Sequence, residues 1–109
     1  MGITKSASYT EKHVELAALL KALGHPARVA IVEHLLKVNA CICGDLVDVL
    51  PLSQPTVSQH LKELKNVGII QGEIQGNQSC YCLNPQTLER LAASLADISK
   101  AIIEKTNCC

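Results

Sequence analysis

The sequence predicts one mainly α-helical domain carrying a small β-hairpin. Three observations predict it. Hydrophobic residues make up 48% of the 109 positions, yet there is no Trp, no Phe and only two Tyr. A core built from Leu, Ile, Val and Ala suits packed helices better than an aromatic-rich sandwich. Apolar residues recur three and four positions apart in several segments punctuated by Gly or Pro, the helical period. Finally, Gly76-Asn77 lies between two short strand-like stretches, a hairpin turn signal.

The elements follow in order. Glu11 to Leu23 reads as a helix whose apolar face holds Val14, Ala17, Leu19, Leu20 and Leu23, and Gly24 stops it. Pro26 suits the first turn of a second helix running to about Leu36, apolar nearly all round and therefore central. Asn39 to Cys43 reads as a brief strand, and Asp45 to Leu50 as a short third helix with Leu46, Val49 and Leu50 inward. After the Pro51-Leu52 turn, Ser53 is a suitable N-cap for a fourth helix, with Pro55 tolerated in its first turn. Val57, Leu61 and Leu64 set the inner face of that helix, and Gly68 ends it. Ile69 to Gln75 and Ser79 to Leu83 are the hairpin strands. Asn84-Pro85 opens a last helix to about Lys105, whose Leu88, Leu91, Leu95, Ile98 and Ile102 have the spacing of a two-helix seam. The order α-α-(short β)-α-α-β-β-α is a winged helix-turn-helix plan, expected to fill residues 1–109 with a flexible arm over 1–10 and a flexible tail over 105–109.

Charge and length narrow the function. Lys+Arg and Asp+Glu number 10 each, so any attraction to phosphate must come from local charge on one face. No apolar stretch reaches the roughly 18 residues of a membrane span, and the first residues lack the apolar core of a signal peptide. Gly2, Lys5 and Ser6 match an acylation motif only superficially, without a polybasic flank. The expectation is a cytoplasmic protein with no membrane partner.

The fourth helix is the most informative segment. With Val57, Leu61 and Leu64 inward, its outer side offers Gln54, Thr56, Ser58, Gln59 and Lys62, with His60 at the flank and Ser53 at the N-terminus. Amide and hydroxyl groups hydrogen-bond base edges, Lys62 supplies a cation for phosphate, and the first-turn amides add donors. An ordinary solvated helix face would be richer in Glu and Lys.

At this point the sequence resembles a known family, the ArsR/SmtB regulators. The resemblance rests on ALGHPARVAIVEHLL (Ala22 to Leu36), CICGDL (Cys41 to Leu46), LSQPTVSQHLKELKNVGII (Leu52 to Ile70) and the strand ending CYCL (Cys80 to Leu83), and spans about residues 11 to 104. What it implies is a repressor, not an enzyme: a homodimer through the first and last helices. Two recognition helices of the pair would meet a palindromic operator in double-stranded DNA, and an inducer would lower the affinity. The resemblance places base-reading residues at Gln54, Thr56, Ser58, Gln59 and His60, and wing contacts at Gly76, Asn77 and Gln78. This wing carries no Lys or Arg between Gln71 and Leu83, which argues against a strong phosphate clamp there. Arg28 faces either DNA or the dimer interface.

Six cysteines fall in three close pairs, Cys41/Cys43, Cys80/Cys82 and Cys108/Cys109. Such pairs suit soft-metal or redox thiols in a reducing compartment. Cys41-Ile42-Cys43 before Gly44-Asp45-Leu46 is similar to the CxCxDL element of arsenic- and heavy-metal-responsive members. Residues two apart diverge by about 200° on a helix but share a face on an extended chain, so two thiolates grip one ion only if the backbone there is extended or unwound. The ligands expected are Cys41 and Cys43 with Cys108 and Cys109 of the tail, which packs nothing itself. Cys80 and Cys82 are either further ligands or small apolar residues on a core-facing strand. No obligatory cofactor is expected. The inducer expected first is arsenite or antimonite, with cadmium, lead or zinc behind. The last helix has Glu89, Asp97 and Glu104 but no His, so the family's other, His-containing site is not expected. His13, His25 and His34 read as surface or capping residues. Two rivals remain: a redox- or persulfide-responsive repressor using the same thiols, and a small thiol enzyme, for which no CxxC, Gly-rich loop or Ser-His-Asp arrangement is readable.

Overall fold

The structure is a computed structural model that describes residues 8–38, 41–43, 50–73 and 80–105, with backbone alone for 41–43 and 73. Four helices and three strands occur there in the order α1 (Glu11–Leu23), α2 (Pro26–Lys37), β1 (Cys41–Cys43), α3 (Gln54–Asn66), β2 (Ile70–Glu73), β3 (Cys80–Leu83) and α4 (Pro85–Glu104). Residues 45–49 of the helix expected over Asp45 to Leu50, the Gly76-Asn77 turn, most of the N-terminal arm and the Cys108/Cys109 tail lie outside the described residues; Leu50 itself is half-buried against the core. The fourth helix of the sequence reading is therefore α3.

Each helix starts where its local chemistry allows. Thr10 caps α1 by a reciprocal pair, its hydroxyl accepting from His13 N at 3.1 Å while its own N–H donates to His13 Nδ1 at 3.2 Å. Histidine thus fills the place usually held by Glu or Gln in a capping box. His25 caps α2 by accepting from Ala27 N, with Pro26 opening the helix. Asn84 does the same for α4 through Gln86 N. His13 and His25, expected as surface or capping residues, both serve as caps.

The exit from α3 is a Schellman motif. Gly68 N–H donates to Lys65 O and Ile69 N–H to Leu64 O, both at 3.0 Å, and Gly68 takes φ 81°. Leu64 and Ile69, the two apolar residues such a motif brings together, are both fully buried. The turn of residues 67–69 alone joins the helix to β2.

The sheet has the order β1-β3-β2 and is antiparallel throughout. Ile70 faces Leu83 and Gly72 faces Tyr81 across β2 and β3. Tyr81 and Leu83 point into the core, where they meet Ile31 and Leu35 of α2, Leu61 and Leu64 of α3, and Leu91 of α4. Cys80 is exposed and Cys82 half-buried on the other face of β3. That alternation corrects one of the two readings of these cysteines: they do not fill the core, because the period of two gives the inward positions to Tyr81 and Leu83.

The seam expected along α4 divides. Leu91 and Leu88 pack on the chain's own core, whereas Leu95, Ile98 and Ile102 remain exposed. Val14 and Leu20 of α1 are exposed as well, and Lys12–Asp97 and Glu15–Arg90 ion pairs tie α1 to α4. Among the described residues no helix is long and apolar enough to cross a membrane.

Candidate nucleic-acid interface

Helix α3 is amphipathic in the manner its sequence foretold. Val57, Leu61 and Leu64 are buried, and Gln54, Thr56, Gln59 and Lys62 are exposed. Ser58 is half-buried. Ser53 stands exposed at the N-cap, but its hydroxyl shares a 3.0 Å hydrogen bond with Thr56 Oγ1 and makes none to the backbone of the turn. Pro55 has no N–H and Val57 N–H donates to Ser53 O at 3.0 Å, so the Ser53 side chain caps none of the first-turn donors. No acidic residue lies in that turn. Lys65, one turn beyond Lys62, is exposed and adds a second cation to the same helix; the three-residue spacing from Lys62 is the signal that would have found it. The result is a helix offering two amide side chains, a hydroxyl and two cations outward. Asn77, expected in the wing contact, lies outside the described residues.

His60 departs from the expectation. The sequence puts it at the flank of the reading face, but the structure turns it inward, 7% exposed. Arg28 Nε donates to His60 Nδ1 at 3.0 Å, and Arg28 Nη1 donates to the carbonyl of Ala22 at 3.1 Å. The His25 ring lies 4.5 Å from that of His60. Arg28, for which two outer locations were open, instead clamps α3 to α2 and to the end of α1. Position 60 falls on the inner arc because it precedes Leu61 and lies one turn from Val57 and Leu64. Its polarity hid this, and its partner is 32 residues away.

As an acceptor, His60 Nδ1 must carry no proton. Burial, then the neighbouring His25 and Arg28, hold its pKa below the ordinary 6.5. The unfolded chain therefore binds more protons once pH falls below about 6.5. Stability is full above that value and declines as pH drops through it toward the lower folded value. His60→Asn keeps an oxygen acceptor for Arg28 and does not titrate. Thermal melts between pH 7.5 and 5 (a span set by the ordinary histidine range) should show a smaller acid loss in this variant than in the parent. Equal losses would remove His60 as a source of the pH dependence.

The second candidate site is the thiol group around the sheet. The backbone of Cys41–Cys43 is extended, the condition under which thiolates two residues apart serve one partner. The side chains of Cys41 and Cys43, and all of Cys108 and Cys109, lie outside the described residues. Cys80 and Cys82 are both disulfide-bonded. Register sets Cys41 opposite Cys82 and Cys43 opposite Cys80.

Comparison with known proteins bears on the family and the fold. The family model described as "Bacterial regulatory protein, arsR family" matches residues 25–71, from the N-cap of α2 through α3 into β2. The chain is 35% identical over 81 residues to the "Arsenical resistance operon repressor" of Staphylococcus xylosus, covering 74% of this chain and 77% of that protein. It is 48% identical over 65 residues to the "HTH-type transcriptional repressor SmtB" of Mycobacterium tuberculosis (strain ATCC 25618 / H37Rv), covering 60% of this chain. It spans about half the length of that relative, 47%. Among solved structures, an "ArsR-like Transcriptional Regulator from Rhodococcus sp. RHA1" superposes with a TM-score of 0.71 at 22% identity, covering 89% of this chain and 91% of that one. That likeness carries the winged-helix fold.

Proposed function

The chain belongs to the ArsR family of bacterial regulatory proteins, and from that membership we propose that it is a DNA-binding transcriptional repressor released by a thiophilic effector. The observation that carries the proposal is the two-faced α3, with apolar residues locked inside and Gln54, Thr56, Gln59 and Lys62 presented outside. Ser53 and Ser58 flank this surface, and Asn77 belongs to the wing. The functional unit is a homodimer: Leu95, Ile98 and Ile102 of α4, with Val14 of α1, form an exposed apolar surface that a second copy buries. Two α3 helices then address two half-sites of a palindromic duplex. The relatives reported above are named as repressors, which tells against the thiol-enzyme alternative. The effector acts at Cys41 and Cys43, with Cys108 and Cys109 of the tail as further thiols. Arsenite or antimonite is the first candidate, and cadmium, lead and zinc follow.

Duplexes selected from a random pool by the reduced protein provide the test. Gln59→Ala should weaken the selected duplex by about 5- to 150-fold, the equivalent of about 1–3 kcal/mol for a base contact. Lys62→Ala should weaken all duplexes alike and lower the salt slope by about one. Binding by both variants with parental affinity and slope would remove α3 from the interface. Arsenite should dissociate the parental complex and leave complexes of Cys41→Ser and Cys43→Ser intact.

A further inference from the structure

The disulfide-bonded state of Cys80 and Cys82 is not explained by a site made of Cys41, Cys43 and the tail. The two cannot be bonded to each other. Residues two apart on a strand are separated by about 6.6 Å along the chain, whereas a disulfide holds its Cβ atoms about 3.8 Å apart. Directly opposed residues of an antiparallel pair lie about 4.5–5.5 Å apart at Cα, inside the range disulfides span. The residues directly opposed to Cys82 and Cys80 are Cys41 and Cys43. Four of the six cysteines therefore occupy two facing pairs on one three-residue ladder, and both members on β3 lie on the face away from the core.

We propose that Cys41–Cys82 and Cys43–Cys80 form a redox lock, two cross-strand disulfides that staple β1 to β3 when the protein meets an oxidant of the small-molecule disulfide class. The regulatory half of the proposal rests on the reading of α3 as the DNA-contacting helix; the crosslinks themselves do not. β1 precedes α3 in the chain, and β3 pairs with β2, which leaves α3 through the Gly68 turn. The staples thus join the segment entering α3 to the sheet that leaves it. In the reduced chain no covalent bond joins that junction, and β1 is a strand of three residues. In this proposal covalent closure of β1 onto β3 restricts how α3 sits relative to the sheet, and the oxidised form is the released one.

The chemistry balances. In each pair one thiolate attacks a sulfur of the oxidant and expels one small thiolate. The facing thiolate then attacks the protein sulfur of the mixed disulfide and expels the second. Each staple transfers two electrons to one oxidant molecule, and the two protons lost by the cysteines end on the two released thiols. A soft cation at Cys41 and Cys43 needs free thiolates, so ion binding belongs to the reduced chain and the staples to the oxidised one.

The test uses the full chain, reduced or treated with glutathione disulfide. Mass analysis of the oxidised chain should show four hydrogens lost, with a peptide containing Cys41 and Cys43 joined to one containing Cys80 and Cys82. The double variant Cys41→Ser/Cys82→Ser should still close Cys43–Cys80, whereas Cys41→Ser/Cys80→Ser, which leaves a diagonal pair, should close about tenfold more slowly, as the geometric range requires. Oxidation should weaken the selected duplex by about tenfold or more in the parent and leave Cys80→Ser/Cys82→Ser unchanged. Crosslinks from β3 to Cys108 or Cys109, or a reduced chain that resists glutathione disulfide and takes up one cadmium ion instead, would overturn the lock. Reduced protein that binds no duplex refutes the repressor reading, while mapping still decides the staples. Reduced protein that binds equally well after oxidation refutes the switch and leaves the repressor reading standing.

Discussion

Gly72→Ala is expected to destabilise the protein by about 2–4 kcal/mol, the combined scale of a strained backbone and a steric clash, and to loosen the hairpin first. Gly72 holds φ 131°, a region closed to side-chain-bearing residues at ordinary cost. A Cβ there would also strike the carbonyl oxygen of Cys80 and lie 2.8 Å from Tyr81 Cα. Both obstacles are backbone, and the strand they belong to is held by β1 on one side and by the buried Tyr81 and Leu83 underneath. β3 must therefore shift, and it cannot shift alone. Gly68 provides the internal control. Its φ of 81° lies in the left-handed region, but an added Cβ would meet only Thr87 Oγ1 at an ordinary 3.4 Å. Gly68→Ala should cost about 1 kcal/mol, the left-handed penalty alone. Thermal melts of the two variants should rank them clearly. Equal losses would mean that the β2–β3 approach does not constrain position 72.

The elements built on local rules were legible in the sequence. Pro26, Asn84-Pro85, Gly24 and Gly68 punctuate the helices where the chain folds that way, because capping and left-handed turns depend on neighbours a few residues away. Val57, Leu61 and Leu64 identified the buried stripe of α3 for the same reason. Long-range pairings were not legible. The Arg28–His60 clamp joins residues 32 apart, and nothing within either helix marks a polar residue as inward-facing. The Cys41/Cys82 and Cys43/Cys80 register depends on how a three-residue strand slides along its partner, and a shift of one residue would set Ile42 against cysteine. The α4 seam was legible as a pattern, but its division between the chain's own core and an outward surface depends on where α1 and β3 lie. The reading face of α3 falls between these cases. Spacing assigned most of it, and His60 left it because the half-buried Arg28 guanidinium supplied a partner.

Leu64→Ala should be the most damaging single truncation on α3, lowering stability by about 2–5 kcal/mol as buried leucines do. Against a domain stability of about 5–15 kcal/mol, that corresponds to a fall in melting temperature on the order of 10–20 °C. Leu64 is fully buried and serves two structures at once. It belongs to the inner stripe that fixes the rotation of α3 on the core, and its carbonyl accepts from Ile69 in the turn into β2. The backbone bond survives truncation, but the apolar contact that accompanies it does not. Loss of that contact frees the helix to roll and the sheet to drift together, so DNA affinity should fall even in conditions where the variant is fully folded. Leu64→Met keeps most of the volume and should cost less than about 1.5 kcal/mol, with affinity close to the parent. If Leu64→Ala, measured well below its melting transition, bound the selected duplex as tightly as the parent, α3 would not need its inner stripe to present Gln54, Thr56, Gln59 and Lys62.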